Sequence, residues 1–200
     1  MTATRKRLPG PRFFRFRKSM RLHVGILFVL WSCIFMHADE NGINHREYEI
    51  RAAYLYNFLL LTEWPLEVAG QSKDRIMLAI LGEPEFDSDI FLPITGKKID
   101  NKKVVIKHYQ KLEEIEEFEG CFLLYVGLTQ AEHLSKIFDA VGDYPVILVS
   151  DIPGFLDQGG MIQFITNENN LRFMINKKPI DKSGLRISSQ ILRVALDIMQ

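Results

Sequence analysis

Four short segments rich in apolar and β-branched residues set the strongest limit on how this chain can fold. They lie at 75–82 (RIMLAILG), 102–109 (KKVVIKHY), 121–127 (CFLLYVG) and 145–151 (PVILVSD). Strands that are apolar over most of their length are typical of parallel sheets that are buried on both faces. The pattern therefore predicts an α/β domain with a mostly parallel sheet covered by helices on both faces.

Helical patterns separate these predicted strands. An apolar helix is expected over 51–64, where a Trp-Pro pair ends it, and an acidic helical stretch from Pro84. Two further helices are expected at 111–120 and, with Thr129 as its N-cap, at 129–142. The alternation of strand and helix supports the α/β class.

The last third of the chain has a different pattern of apolar and polar residues. The segments 160–166 (GMIQFIT) and 171–176 (LRFMIN) alternate apolar and polar residues across the turn NENN, which predicts an antiparallel hairpin joined to the sheet. A final helix, capped by Ser188 or Ser189, is expected to face the core with Leu192, Ala195 and Ile198. No repeat or linker interrupts the chain, so residues 45–200 are predicted to form a single domain.

The predicted first helix carries one amide, Asn57, among apolar residues. Steps of three and four from Ile50 reach Asn57 and Phe58, which places the amide on the inward stripe. A buried amide without a partner costs about 1–3 kcal/mol, so Asn57 is expected to be hydrogen-bonded. The partner is either the backbone of a neighbouring segment, in a structural clamp, or a molecule that the protein binds.

The first 38 residues are unlike the rest. They hold 8 basic residues and no acidic one, followed by an apolar run of 15 residues from Leu22 to Met36. Such a run falls short of the roughly 20 residues that span a bilayer, so residues 1–38 are predicted to be a secretory signal peptide cleaved near Ala38. Retention as a membrane anchor and lipoprotein-type cleavage before Cys33 are the weaker alternatives.

Loss of that signal changes the net charge. The whole chain has 25 basic and 25 acidic residues, and the signal takes 8 of the basic ones, which leaves −8 for residues 39–200. The one basic group, at Lys97, Lys98, Lys102 and Lys103, is expected to lie on a solvated turn. Nucleic-acid binding needs a concentrated positive face and is therefore not predicted.

Cysteine content excludes an internal disulfide from the exported part. Cys33 leaves with the signal, and only Cys121 remains. Because Cys121 opens an apolar strand, it is expected to be buried and inert; a reactive thiol or an intermolecular bridge is the alternative.

No sequence motif indicates catalysis, a metal or a cofactor. The chain has no G-x-S-x-G, no H-E-x-x-H and no paired cysteines, and its histidines after the signal are only His45, His108 and His133. Gly82 follows a strand, but the two acids beside it repel phosphate. The protein is predicted not to be an enzyme; an exported hydrolase using Ser150 and Asp151 is the weakest alternative.

Six blocks together resemble the YfiR/HmsC family of exported bacterial proteins. In order they are EYEIRAAYLYNFLLLTEWP, LGEPEF, GCFLLYV, VSDIPGFLDQGGMIQF, RFMIN and GLRISSQILRVA, covering residues 48–195. The resemblance implies a periplasmic homodimer that represses a membrane diguanylate cyclase through its periplasmic sensor region, lowering cyclic di-GMP and biofilm formation. Some members look able to bind an indole amino acid or a nucleotide, so a periplasmic small-ligand sensor is the alternative function. Better-known members carry disulfides, which this chain cannot form internally.

Five residues are predicted to contact a ligand or a partner. Arg51, Asn57 and Trp64, together with Arg172, are expected to line a pocket if the amide serves a ligand. Arg172 and Asn176 occupy alternate positions on the last hairpin strand, so they share a face with Met174. That face is either a partner or ligand surface or a plain solvent-facing strand.

Overall fold

The computed structural model describes residues 40–65, 74–84, 86, 88–116, 118, 120–167 and 170–200. The predicted signal peptide, residues 1–38, lies outside them. Contacts within the chain divide it after Ile43, and the residues from Asn44 to Gln200 form one compact unit.

Helices and strands alternate through most of the described residues. The α-helices are α1 (Glu40–Leu60), α2 (Leu134–Val141), α3 (Lys177–Lys182) and α4 (Ser189–Val194), with 3₁₀ helices at Ser88–Phe91, Leu112–Glu114 and Leu128–His133. The strands are β1 (Thr62–Glu63), β2 (Arg75–Leu81), β3 (Lys98–Ile99), β4 (Lys102–Tyr109), β5 (Cys121–Val126), β6 (Ile147–Ser150), β7 (Ile162–Asn167), β8 (Asn170–Asn176), β9 (Arg186–Ile187) and β10 (Asp197–Met199).

The main sheet contains eight strands in the order β10-β8-β7-β6-β5-β2-β4-β3. Neighbours from β4 through β2, β5 and β6 to β7 are parallel, and β8 pairs antiparallel with β7. A short strand at each edge completes the sheet: β3 is antiparallel to β4, and β10 is parallel to β8. The predicted α/β class, with its mostly parallel sheet and antiparallel hairpin, is confirmed.

Helices cover both faces of this sheet because the connections from its two central strands, β2 and β5, run to opposite sides. Right-handed connections that lead in opposite directions lie on opposite faces. The connection from β2 to β4 carries Phe86, whose ring lies 4.9 Å from that of Tyr48 in α1. The connection from β5 to β6 contains α2, which buries Leu134, Ile137 and Val141. Thus α1 and α2 pack on opposite faces.

The position of Asn57 differs from the prediction. The buried stripe of α1 runs through Ala52, Leu55, Phe58 and Leu59, whereas the Asn57 side chain is exposed. The inward stripe predicted from the sequence is therefore wrong by about one residue position. The reason is that apolar residues occupy nearly every side of this helix, so their spacing alone does not single out one face. Both the clamp and the pocket explanation required a buried amide, and neither holds.

Three predicted helices are shorter than expected. In the stretch after Pro84 and the acidic segment 111–120, the residues that the structure describes form only the 3₁₀ helices at Ser88–Phe91 and Leu112–Glu114. In the third, Thr129 donates its hydroxyl to the carbonyl of Gly82 instead of capping a helix, and α2 begins only at Leu134. Contacts with neighbouring segments outweigh local helix propensity at these sites.

The C-terminal helix is also shorter than predicted. Ser188 caps α4 by accepting a hydrogen bond from the Gln190 amide at 3.2 Å, as expected. The helix ends at Val194, so Ala195 lies beyond it and Ile198 belongs to β10. Pairing of β10 with β8 satisfies backbone groups at the edge of the sheet, which a longer helix would leave open.

Cys121 is buried, as the sequence predicts. Its thiol donates to the carbonyl of Leu123 at 3.4 Å, and burial raises its pKa to about 12. Since the thiolate is the reactive form, this cysteine is inert near neutral pH.

Candidate functional site

A buried arginine, Arg51, forms the centre of a polar cluster on α1. Its Nη2 lies 2.9 Å from Glu47 Oε1, one turn earlier in the helix, and 3.3 Å from Asp151 Oδ2, just after β6. The side chains of Arg51 and Asp151 are each only 11% exposed. A buried guanidinium requires compensating charges, which these two carboxylates provide.

Hydrogen bonds extend this cluster to two other segments. Tyr48, whose ring centroid lies 5.1 Å from Arg51 Cζ, donates to Glu83 after β2 at 3.1 Å. Thr166 of β7 donates to Glu47 at 2.8 Å. We name the group the arginine cluster: Glu47, Tyr48, Arg51, Glu83, Tyr125 and Asp151. It ties the N-terminal half of α1 to loops that follow β2 and β6 and to the β7–β8 hairpin.

The arginine cluster lies at a topological switch point of the sheet. The connection that leaves β2 runs to β4 on one side, whereas the connection that leaves β5, the neighbour of β2, runs to β6 on the other side. Ligands of open α/β sheets usually bind beyond the carboxyl ends of the strands at such a point. Glu83 and Asp151 directly follow the carboxyl-terminal region of β2 and β6, so the cluster occupies the place where this architecture favours a site.

Backbone contacts fill much of the crevice at this place. Gly127 donates its amide to the carbonyl of Leu81 at 2.8 Å, and Thr129 reaches the carbonyl of Gly82. A Cβ on Gly127 would lie 2.5 Å from the Gly82 oxygen and 2.6 Å from Glu83 Oε2. The two loops therefore meet closely, and the geometry favours a small polar occupant over a nucleotide.

Burial makes the acids of the cluster weaker than usual. It raises the pKa of Asp151, although the charge of Arg51 opposes this effect. It also raises the pKa of Glu83, against the opposing hydrogen bond from Tyr48. Because these carboxyls bind a proton more tightly in the folded state than in the unfolded chain, the stability of the cluster depends on pH.

Three buried polar atoms of the cluster make no hydrogen bond of good geometry among the described residues, although the Tyr125 hydroxyl interacts with the Asp151 carboxylate closely enough to affect the pKa of both groups. They are Arg51 Nε, Tyr125 Oη and Asp151 Oδ1. The unpartnered N–H of Arg51, beside that hydroxyl and carboxylate, matches a water molecule or a small polar ligand. Within the described residues, no group of three or more His, Cys, Asp or Glu side chains could hold a metal ion.

The structure separates Arg51 from Trp64. The Trp64 ring packs 5.2 Å from that of Phe122, near the start of β5, whereas Arg51 contacts Asp151, past the end of β6. Nine helical residues between Arg51 and Leu60 span about 14 Å. The prediction of a pocket shared by these two side chains is therefore wrong, because Arg51 lies beyond the carboxyl ends of the parallel strands and Trp64 lies near their amino ends.

Arg172 and Asn176 lie on β8, where burial alternates as predicted. Leu171, Phe173 and Ile175 are buried and Arg172 is exposed. The ring of Phe173 packs against α1, so Arg172 lies on the other face. Asn176 has structural contacts: it donates to the carbonyl of Leu156 at 3.1 Å and caps α3 by accepting from the Lys178 amide at 3.2 Å.

Sequence reasoning missed the acidic members of the cluster. Only Arg51 was singled out, whereas Glu83 was considered as an acid that repels phosphate and Asp151 as part of a hydrolase site. The available signal was an acid directly after a buried strand, in LGE and VSD, since such positions converge at the carboxyl edge of a parallel sheet.

The YfiR/HmsC-like family model, DUF4154, matches residues 48–196. The chain belongs to this family. The matched region begins within the arginine cluster and ends after α4, and membership supports a role as a periplasmic regulator. The family is a regulatory rather than a catalytic one.

A crystal structure titled as a conserved domain protein from Vibrio cholerae O1 biovar El Tor str. N16961 is similar, with 11% identity and a TM-score of 0.47. The alignment covers 66% of this chain and 58% of that one. No curated protein matches the sequence. Among the described residues, no helix has the length and apolar character needed to cross a membrane.

Proposed function

We propose that this protein is a non-enzymatic periplasmic regulator that represses a membrane diguanylate cyclase. It binds the periplasmic sensor region of the cyclase as a homodimer, and the cell then holds less cyclic di-GMP and forms less biofilm. Family membership carries this proposal, because the family model spans residues 48–196 and thus nearly the whole compact unit. The predicted signal peptide, which agrees with export, is independent support.

The surroundings of Ser150 favour this proposal over an exported hydrolase. The Ser150 hydroxyl donates to the carbonyl of Val126 at 2.7 Å and accepts from the Ile152 amide at 3.0 Å. A serine nucleophile needs a neighbouring base to take its proton. Here the proton is directed to a backbone carbonyl, so the hydroxyl serves the turn after β6.

Deletion of the gene tests the regulatory proposal. We expect cyclic di-GMP to rise in the deletion strain and to return to the wild-type level when the full chain is restored. The same deletion in a strain that also lacks the partner cyclase should change nothing. Unchanged cyclic di-GMP in the first strain would contradict the proposal.

Recovery of the partner from solubilised membranes identifies the cyclase and tests the β8 face. We expect the tagged protein to recover a diguanylate cyclase with a periplasmic sensor region. Arg172→Ala should weaken this recovery, whereas Arg193→Ala, at another exposed arginine, should not. Equal recovery by both variants would remove Arg172 from the partner surface and leave the function itself intact.

Small-ligand sensing is the second candidate function, and the arginine cluster favours it. The buried Arg51 Nε–H, which has no hydrogen-bond partner, offers a donor to a small polar molecule, next to the Tyr125 hydroxyl and the Asp151 carboxylate. A ligand that binds only the folded state raises Tm with its concentration. We expect a member of a panel of amino acids and nucleotides to raise Tm for the wild type but not for Arg51→Lys, with Arg193→Lys as the control. No shift with any compound would count against this function.

A further inference from the structure

The outward face of the C-terminal half of α1 is largely apolar and exposed. Ile50 is 40% and Leu60 45% exposed, and Ala53 and Asn57 between them are exposed as well. These four residues, which we name the outer stripe, lie on the opposite side of the helix from Leu55 in the core. A soluble helix normally carries charged residues at such positions.

The spacing of the outer stripe is that of a coiled-coil seam. Its members follow each other at intervals of three, four and three residues, which are the a and d positions of successive heptads. A β-branched residue, Ile50, occupies an a position and Leu60 a d position, the arrangement that favours two strands. Asn57 falls on the second a position, where a single asparagine fixes register and partner number at some cost in stability.

We propose that the outer stripe is the surface through which two copies of this chain pair, α1 against α1 across a two-fold axis. This inference rests on the homodimer part of the proposed function and assigns its surface. Symmetric pairing places Asn57 of one copy against Asn57 of the other. An amide has both a donor and an acceptor, so it is complementary to itself, whereas a continuous apolar partner would leave it unsatisfied.

Charge restricts the part of the surface on which a second copy can pack. The chain without its predicted signal carries a net charge of −8, so two copies repel each other over much of their surfaces. Residues 52–62 contain no charged side chain at all. From Ala52 to Thr62 two acidic molecules can therefore approach without bringing like charges together, whereas the exposed Arg46, one turn before Ile50 on the same side of the helix, lies at the end of the contact.

The size of the stripe predicts a reversible dimer. Stable interfaces bury about 800 Å² on each partner, and three helical turns provide only part of that area. We therefore expect monomer and dimer to exchange in a concentration-dependent manner, which sedimentation equilibrium measures directly.

Charge substitution on the stripe is the first test. In the protein produced from the full chain, Leu60→Glu should raise the dimer dissociation constant by about tenfold or more, since a buried apolar contact is lost and two carboxylates face each other. Leu92→Glu is the matched control, because Leu92 is 67% exposed and lies outside α1. Far-UV circular dichroism verifies that both variants fold.

The possible outcomes distinguish failure of the proposed surface from failure of the proposed homodimer. A wild-type protein that is monomeric at all concentrations would overturn both the homodimer and its surface. A dimer that Leu60→Glu does not weaken more than Leu92→Glu would overturn the surface alone.

A disulfide across the two-fold axis is the second test. Asn57→Cys should form a covalent dimer under mild oxidation, with Cys33→Ser as the background and Leu92→Cys as the control. Cys121 does not compete, because it is buried and its pKa is raised to about 12. Equal cross-linking of the two cysteine variants would contradict the symmetric contact of α1 at residue 57.

Discussion

The two halves of α1 are held to the sheet by different forces. The N-terminal half contributes Glu47, Tyr48 and Arg51 to ion pairs and hydrogen bonds at the carboxyl edge. The C-terminal half buries Leu55 and Phe58 among aromatic rings. Apolar packing is proportional to buried area and nearly independent of pH, whereas a buried ion pair contributes only while every partner is present and correctly charged. The C-terminal half of α1 is thus attached to the sheet by apolar packing, which we call the aromatic anchor. The N-terminal half is attached by the ion pairs and hydrogen bonds of the arginine cluster, which we call the charged anchor and which depend on the charge state of their members.

Removal of the aromatic anchor should have the largest effect. Phe58 is 1% exposed and its ring lies within about 6 Å of the rings of Tyr54, Phe164 and Phe173. We expect Phe58→Ala to lower the free energy of unfolding by about 3–5 kcal/mol, because transfer and cavity terms add. Urea unfolding at two pH values measures the loss, which should be the same at both.

The control for this prediction lies two residues along the same helix. Leu60→Ala changes an exposed leucine and should alter the free energy of unfolding by less than about 0.5 kcal/mol at concentrations where the protein is monomeric. A comparable loss in both variants would mean that the two faces of α1 are not distinguished as the structure has them.

Removal of the charged anchor should come next. Arg51→Met leaves Asp151 buried without its cation, which costs about 3 kcal/mol. The double variant Arg51→Met with Asp151→Asn should recover part of that loss, because no uncompensated charge remains at that position. Chemical unfolding of the two single variants and the double variant gives the coupling, which we expect to be about 0.5–3 kcal/mol. Strict additivity would refute the description of these residues as one unit.

This contrast explains how far the sequence could be read. The buried strands were predicted because CFLLYV and RIMLAIL leave few alternatives to a sheet covered on both sides. The face of α1 could not be predicted, since residues 52–62 contain no charge to mark the solvent side. Asn57 was the only amide in that stretch, and its exposure was decided by aromatic rings of β7 and β8, which are more than a hundred residues away in sequence.

The candidate site illustrates the same limit. Arg51 was visible as a charged residue in an apolar helix. Its partners Glu83 and Asp151 are far apart in sequence, and they become neighbours only because β2, β5 and β6 run parallel. Pairing partners of this kind depend on sheet order, which local patterns do not encode. The short 3₁₀ helices were missed for a related reason: tertiary contacts such as Thr129 with Gly82 replace helix capping.

A smaller loss of stability is expected when the contact between the loops after β2 and β5 is disturbed. In Gly127→Ala the new Cβ would lie 2.5 Å from the Gly82 oxygen, so the loops after β2 and β5 must move apart. We expect a loss of about 1–3 kcal/mol in the free energy of unfolding. Gly96→Ala is an instructive comparison, since nothing lies within 4 Å of its Cβ position and only its positive φ of 77° opposes the change. A loss for Gly127→Ala no greater than that for Gly96→Ala would argue against close contact of the loops.

The smallest expected effect is a pH dependence of Tm that arises only from the contacts of the N-terminal half of α1. Burial raises the pKa of Glu83 above its ordinary 4.5, so the folded state binds this proton more tightly than the unfolded state does. Stability from this group is therefore greatest at low pH and declines as pH rises from 4.5 through the raised value. We expect Tm of the wild type to fall more steeply over that window than Tm of Glu83→Gln, which cannot titrate there. Phe58→Leu, in the apolar half, should retain the wild-type slope; parallel curves for the wild type and Glu83→Gln would show that the two anchors do not differ in their response to acid.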